Sequence, residues 1–266
     1  MSARLALITG ASAGLGTAFA HVYAAHGYDL AITARREGRL EALADQLRLR
    51  HGCAVLVIPA DLADADSPRR IVDRIADQGR PVDALVNNAG YGEAAPFGAA
   101  GWAAEAAFIR VMFTAVCELT HRTLPGMKDR RFGRIVNVAS LAGILPGSPN
   151  AALYGAVKAG LITFSQGLHL EARDAGVHVS ALCPGLTYSE FHDVNHSRAG
   201  MTAVAPPWLW MGADEVAAAG YEAGEANRPL CVPGAPNKAA AFLAKLLPDE
   251  WVMALLARGS RTGRAA

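Results

Sequence analysis

Seven short aliphatic runs alternate along the chain with longer, Ala-rich segments that carry its charges: LALIT (5–9), DLAIT (29–33), AVLVI (54–58), DALVN (83–87), RIVNV (134–138), VHVSAL (177–182) and PLCV (229–232). A strand that is apolar at nearly every position has both of its faces covered, as in a parallel sheet packed between two layers of helix. The segments between the runs predict helices over roughly 14–27, 37–51, 65–79, 103–127, 151–176, 213–226 and 237–257. This alternation predicts an α/β fold: a doubly wound parallel sheet of about seven strands, with right-handed crossovers and helices on both faces. For 266 residues one core suffices, so a single domain over 1–266 is expected.

Residues 186–212, LTYSEFHDVNHSRAGMTAVAPPWLWMG, break the rhythm with prolines, aromatics and histidines. A long irregular insertion in a compact domain is usually functional, so about 186–226 is read as a variable segment over a substrate site. About 236–258 is read as a C-terminal helical extension. Its amphipathic stretch AAAFLAKLLPDEWVMALLARG suits packing on the domain or on a partner subunit. Peripheral membrane contact is the weaker alternative, because acidic residues interrupt the stretch and basic ones are few. No run reaches the ~18 apolar residues of a membrane span.

Apolar residues make up 52% of the chain and charged ones 18%, a globular composition, and a net charge of +1 without a basic run leaves no footprint for nucleic acid. MSAR leads into LALI without the long apolar core of a signal peptide, so a cytoplasmic protein is expected. Cys53, Cys117, Cys183 and Cys231 are scattered, with no CxxC and no zinc-like pairing with histidines. They are read as reduced, mostly buried thiols, and no metal is expected.

Directly after the first run comes TGASAGLG, with Gly10, Gly14 and Gly16 opening a helix. Such a turn lets backbone N–H groups and a helix N-terminus meet a pyrophosphate that Cβ atoms would obstruct. The spacing is GxxxGxG rather than the commoner GxGxxG, and glycines of an ordinary tight turn are the plainer reading. After the second run, TARREGR places Arg35 and Arg36 where dinucleotide-binding folds often carry an acidic residue for the ribose 2′-hydroxyl. Guanidinium groups suit a 2′-phosphate in charge and fork geometry, which favours NADP(H) over NAD(H); a solvated basic helix start is the alternative.

In YGAVK (154–158) a tyrosine and a lysine stand four residues apart, on one face of a helix. Alone, the pair reads as a solvated lysine beside a core tyrosine. Together with NNAG (87–90), NVASLAG (137–143) and CPGLTYSEF (183–191), the glycine-rich turn and YGAVK resemble the short-chain dehydrogenase/reductase family over most of the chain, motifs and order alike. The resemblance implies one Rossmann-like domain that binds a nicotinamide cofactor and moves a hydride between it and a carbonyl or alcohol. It implies Tyr154 as the acid/base, Lys158 beside it, and Ser140 as the holder of the substrate oxygen. A cation one turn away is expected to favour the phenolate of a phenol whose ordinary pKa is ~10.

The same resemblance implies a cofactor site from Gly10, Ser12, Gly14, Leu15 and Gly16, with Arg35 and Arg36 at the ribose and Asp61 and Leu62 beside the adenine. Asn87, Asn88, Ala89 and Gly90 are implied to line the cofactor, although the two asparagines also suit tying down strand ends. Pro184, Gly185, Thr187 and Ser189 are implied at the nicotinamide end, Lys158 at its ribose. A homo-oligomer, dimer or tetramer, is implied as well.

One position departs from the family pattern: its usual relay asparagine in the central helix falls on Met112, a thioether that cannot donate a hydrogen bond. A relay through water or backbone, a slow enzyme, and a cofactor-binding protein with little turnover are the competing readings; the first two are favoured. NAD-linked alcohol oxidation on the same fold is a further alternative. On the substrate side, Tyr91, Leu145, Tyr188, Phe191 and PPWLWM (206–211) are expected to form an apolar lid, which favours a hydrophobic ketone or aldehyde. His192 and His196 are read as solvated loop histidines.

Overall fold

The computed structural model describes residues 3–92, 96–190 and 206–262. Seven strands form one parallel sheet: β1 (Leu5–Thr9), β2 (Asp29–Ala34), β3 (Val55–Pro59), β4 (Ala84–Asn87), β5 (Gly133–Val138), β6 (Val177–Leu182) and, after the two short strands β7 (Thr187–Tyr188) and β8 (Met211–Gly212), β9 (Leu230–Cys231). The order is β3-β2-β1-β4-β5-β6-β9. The chain winds outward from β1 to β3 and then restarts on the other side of β1 with β4. Strand order therefore reverses between β1 and β4, where open α/β sheets leave a crevice at their carboxyl ends.

Alternation along the strands explains the continuous apolar runs. In β1, Ala6 and Ile8 join the core on one face while Leu5 and Leu7 join the core on the other, and all are buried. Helices α1 (Gly14–Ala25) and α2 (Glu37–His51) contribute Phe19, Tyr23, Leu40 and Leu47 to the first face. On the opposite face, α3 (Ser67–Ala76) contributes Ile71 and Ile75. Among the described residues, no helix is long and apolar enough to cross a membrane.

The expected helix over 103–127 is divided. After α4 (Trp102–Ile109) comes one π turn (Arg110–Thr114), then α5 (Ala115–Asp129). A π turn accommodates one extra residue, and here the consecutive Val111 and Met112 are both buried, in two different clusters. After α6 (Ala152–Ala172) and α7 (Ala213–Glu225), the expected helix over 237–257 is likewise two, α8 (Ala235–Leu246) and α9 (Asp249–Thr262). Pro248 is the cause: it disfavours helical backbone in the residue before it, and Leu247 adopts φ −87°, ψ 149°. Within 186–212, β7 and β8 pair in parallel, a short order that the irregular sequence did not predict. Residues 191–205 lie outside the described residues. The cysteines are free thiols, but only Cys183 is fully buried, so the expectation of mostly buried thiols holds for one of four.

Candidate active site and cofactor cleft

The crevice between β1 and β4 begins with the glycine-rich turn. Gly10 and Gly14 have φ of +68° and +53°, backbone that side chains disfavour, and a Cβ on Gly10 would lie 2.7 Å from Ala89 Cα. Thr9 and Asn88 staple the ends of the two strands together. Thr9 Oγ1 accepts from the backbone N–H groups of Asn88 (2.9 Å) and Ala89 (3.0 Å), while Asn88 Nδ2 donates to the carbonyls of Thr9 (2.9 Å) and Gly10 (3.3 Å).

A cavity of about 570 Å³ runs across these strand ends. Gly10, Ser12, Gly14 and Leu15 line it from the turn, Arg35 and Arg36 from the end of β2, and Asp61 and Leu62 from the end of β3. Asn88, Ala89 and Gly90 form its middle. Ser140, Tyr154, Lys158, Pro184, Gly185 and Thr187 close the far end, whereas Ser189, expected there, lies against the turn, where a Cβ on Gly14 would stand 2.8 Å from its Cβ. The shape, the bare backbone at the turn and the basic groups at one end fit a dinucleotide.

Two expected residues fall elsewhere. Gly16 is absent from the wall; a Cβ there would collide with the carbonyl of Gly10, so its smallness lets α1 start close against the turn. Asn87 is also not on the wall. It is buried inside the sheet, its Nδ2 donating to Asn137 Oδ1 (2.8 Å) and Thr120 Oγ1 (3.3 Å), and Asn137 continues the chain of bonds to Ser165 (2.9 Å).

Ser140 lies two residues beyond β5 and caps the short turn Leu141–Gly143: its Oγ accepts from Ala142 N (3.1 Å), which holds the hydroxyl in place. Tyr154 lies in the first turn of α6 and hydrogen-bonds with Ser140. Lys158, one turn on, is buried, and its Nζ donates to the Val138 carbonyl (2.7 Å) while standing 5.7 Å from the centroid of the Tyr154 ring. Burial pushes the Tyr154 phenol above its ordinary value, with the Ser140 hydrogen bond acting the other way. Burial also lowers Lys158 to about 8, opposed by Cys183. The expectation that the ammonium would favour the phenolate is therefore corrected: here desolvation dominates and Tyr154 holds its proton.

Met112 lies on the cavity wall, buried in a cluster with Phe108 and Val157 against which Tyr91 and Tyr154 pack. Its Sδ accepts from the backbone N–H of Tyr91 (3.4 Å), and the Tyr91 ring meets Phe108 edge-on at 5.2 Å. Tyr91 and Leu145 do line the cavity, as expected of the lid. Tyr188 does not; it stacks on Trp210 with centroids 5.0 Å apart, and Trp208 is exposed. No residue of 206–211 is on the wall; Met211 instead pairs with Thr187 through β7 and β8. Phe191, His192 and His196 lie outside the described residues.

At the adenosine end the sequence reading missed two groups. Arg39, in the first turn of α2, and Glu190, which lines the cavity, form an ion pair at 2.6 Å; Glu190 also takes a bond from Arg36 (3.1 Å). Arg36 in turn donates to Ser12 Oγ (3.1 Å). Arg39 has a sequence signal, its spacing of three from Arg36. Glu190 has none, being 154 positions away.

The pattern of the short chain dehydrogenase family matches residues 4–199. A protein of Rhizobium sp. (strain N33), nodulation protein G, is 35% identical over 221 residues, covering 82% of this chain and 88% of its own. A short-chain dehydrogenase from Sphingobium yanoikuyae, solved in complex with NADPH, superposes with a TM-score of 0.77 at 32% identity, covering 91% of this chain and 94% of that one. A bulky-bulky ketone specific alcohol dehydrogenase from Comamonas testosteroni gives a TM-score of 0.76 at 27% identity over 92% and 93% of the two chains.

Proposed function

The chain belongs to the short-chain dehydrogenase family and is an oxidoreductase of CH–OH and C=O groups; from that premise we propose that it prefers NADP(H) and acts on a hydrophobic ketone, aldehyde or secondary alcohol. The observation that carries this reading is the convergence of Ser140, Tyr154 and Lys158 on the far end of the cavity whose near end bears Arg35 and Arg36.

In this reading the backbone of Gly10, Gly14 and Leu15 holds the pyrophosphate, and Ser12, Arg35 and Arg36 hold the adenosine ribose and its 2′-phosphate. Asp61 and Leu62 flank the adenine, and Asn88, Ala89 and Gly90 support the middle. Lys158, Pro184, Gly185 and Thr187 hold the nicotinamide end, with Lys158 on the ribose, while Ser189 lies against the glycine-rich turn. The bound nicotinamide supplies or accepts the hydride. Ser140 and Tyr154 hold the substrate oxygen between two hydroxyls. In reduction Tyr154 donates its proton to that oxygen as negative charge develops, and in oxidation it takes the proton back. A phenol kept neutral by burial suits the donating direction, and Lys158 at about 8 is mostly cationic at neutral pH.

Support for NADP(H) is the pair of guanidinium groups with no acidic residue at the end of β2; the Sphingobium relative was solved with NADPH. Support for an apolar substrate is the wall of Tyr91, Met112, Leu141, Leu145 and Leu186. A cytoplasmic homo-oligomer completes the reading, supported by exposed Phe242, Leu246, Trp251 and Leu255 on the C-terminal helices. Light scattering tests the association.

The functional test follows oxidation of NADPH and NADH with ketones and aldehydes from small to bulky. NADPH-linked turnover that rises with apolar bulk supports the reading. Tight NADPH binding without turnover of any carbonyl overturns it in favour of a binding protein, the reading that Met112 motivates.

A further inference from the structure

The cofactor cleft carries its own anion at the place assigned to the 2′-phosphate. Glu190 offers its carboxylate to Arg39 Nη1 through both oxygens, at 2.6 and 2.8 Å, and to Arg36 Nη1 at 3.1 Å. Arg36 simultaneously donates to Ser12 Oγ through Nε (3.3 Å) and Nη2 (3.1 Å). Ser12 belongs to the glycine-rich turn, Arg36 and Arg39 to the start of α2, and Glu190 to the segment that follows β7. Three parts of the chain thus meet at Arg36, which bonds both Ser12 and the Glu190 carboxylate.

The backbone carrying Glu190 is held close over the turn. A Cβ built on Gly14 would lie 2.8 Å from Ser189 Cβ, so the chain just before Glu190 lies directly against the turn that faces the pyrophosphate. Ser12, Arg36, Ser189 and Glu190 all line the same cavity. The carboxylate is therefore inside the cofactor cleft, aimed at the basic groups of its adenosine end.

A carboxylate and a phosphate monoester compete for the same guanidinium forks. The 2′-phosphate carries close to two negative charges at neutral pH and offers three oxygens. The Glu190 pairs are roughly half exposed, with side-chain exposures of 42–51%. Ion pairs this open contribute little, so a dianion can exchange with the single carboxylate. NAD carries only a hydroxyl at that position and has no need of the exchange.

Resting on the NADP(H) reading of this site, we infer that Glu190 is a specificity-determining residue. In the cofactor-free chain its carboxylate occupies the 2′-phosphate subsite, and Arg39 joins Arg36 and Ser12 in forming that subsite. Binding of NADP(H) exchanges one anion for another, and the negative charge of Glu190 lowers the preference for NADP(H) below what the arginines alone would give.

The test is fluorescence titration of NADPH and NADH, without substrate, against the native chain, Glu190→Gln, Glu190→Ala and Arg39→Ala. Removing the carboxylate should tighten NADPH about three- to tenfold, an effect that shrinks at high salt, and Arg39→Ala should weaken it by a similar factor. NADH should move by less than about twofold, because the hydroxyl does not draw on the guanidinium pair. NADPH affinity that is unchanged or weaker in both Glu190 variants overturns the inference. So does a loss of NADH affinity larger than any gain for NADPH, which would make Glu190 a ligand of the NAD ribose. The NADP(H) reading itself is judged separately, on whether the native chain binds NADPH more tightly than NADH; it can stand while the Glu190 inference fails.

Discussion

Lys158 is tied to Val138: its Nζ donates to that carbonyl at 2.7 Å, at the carboxyl end of β5. The same ammonium stands 5.7 Å from the Tyr154 ring centroid. The sheet thus fixes the position of the cation, and α6 fixes the position of the phenol one turn before it. In the proposed reaction the Tyr154 and Ser140 hydroxyls meet the substrate oxygen, with the lysine set behind.

Burial of that ammonium makes a prediction about stability. Lys158 falls to about 8 in the folded chain, against ~10.4 for a free lysine. Between these values the unfolded chain holds a proton that the folded chain has lost, so stability rises with pH across the window and is flat below it. Burial raises Tyr154, which works the other way, but only above the ordinary phenol value of ~10. The stability of the native chain relative to Lys158→Met should therefore climb from pH ~8 towards ~10, by about 3 kcal/mol at most. Denaturant melts at several pH values measure it, and a difference independent of pH contradicts the assignment.

Tyr154→Phe removes the proposed proton donor and leaves the ring. With the cofactor cradle intact, kcat should fall by about 10²- to 10⁴-fold while the Kd for NADPH stays within about twofold. Single-turnover kinetics with NADPH in excess separate the two. Undiminished turnover would mean that another group gives the proton.

Met112→Asn places an amide where the family resemblance implies a relay asparagine and this chain has a thioether. The gain in kcat should stay below about tenfold, since a relay acts behind Tyr154 rather than at the substrate. The buried amide should lower stability by about 1 to 3 kcal/mol. A rise in kcat with a fall in Tm fits a proton relay limited by Met112; a fall in both assigns Met112 to packing of the wall alone.

Gly16→Ala tests the start of α1. A Cβ there meets the Gly10 carbonyl and lies 2.7 Å from Asn88 Nδ2, both parts of the staple that closes β1 onto β4. The variant should lose about 1 to 3 kcal/mol in thermal or denaturant unfolding. A stable variant with ordinary melting would show that the turn gives way easily.

These residues show where the sequence was readable. The β1 run LALIT declared a strand because both of its faces are buried, a demand visible in every position. Tyr154 and Lys158 shared a helix face by spacing, but their role was readable only together with the other four motifs in order. Asn87 and Asn88 were harder: adjacent and identical in type, they part company because the first ends β4 inside the sheet and the second begins the loop. The π turn at Arg110–Thr114 depends on two consecutive side chains both finding packing, which local pattern does not encode. Pro248 was decisive, yet the expected helix over 237–257 ran through it, because the amphipathic pattern continues on both sides of the break. Glu190 belongs to the last class, where only the fold brings an acid to arginines that its sequence neighbourhood never mentions.

Arg36 touches both Ser12 and Glu190, so its removal has two separable consequences. If it reads the 2′-phosphate, Arg36→Ala removes a charge-assisted hydrogen bond worth about 1.5 to 3 kcal/mol, and the Kd for NADPH should rise roughly ten- to hundredfold. NADH, with no phosphate there, should lose far less. The contrast should fade as salt rises, because the group is exposed and its attraction is screened over ~10 Å at 0.1 M. Titrations of both cofactors at two ionic strengths decide the matter. Equal weakening of NADPH and NADH, insensitive to salt, would assign Arg36 to holding the glycine-rich turn through Ser12 and leave no support for it as the reader of the phosphate.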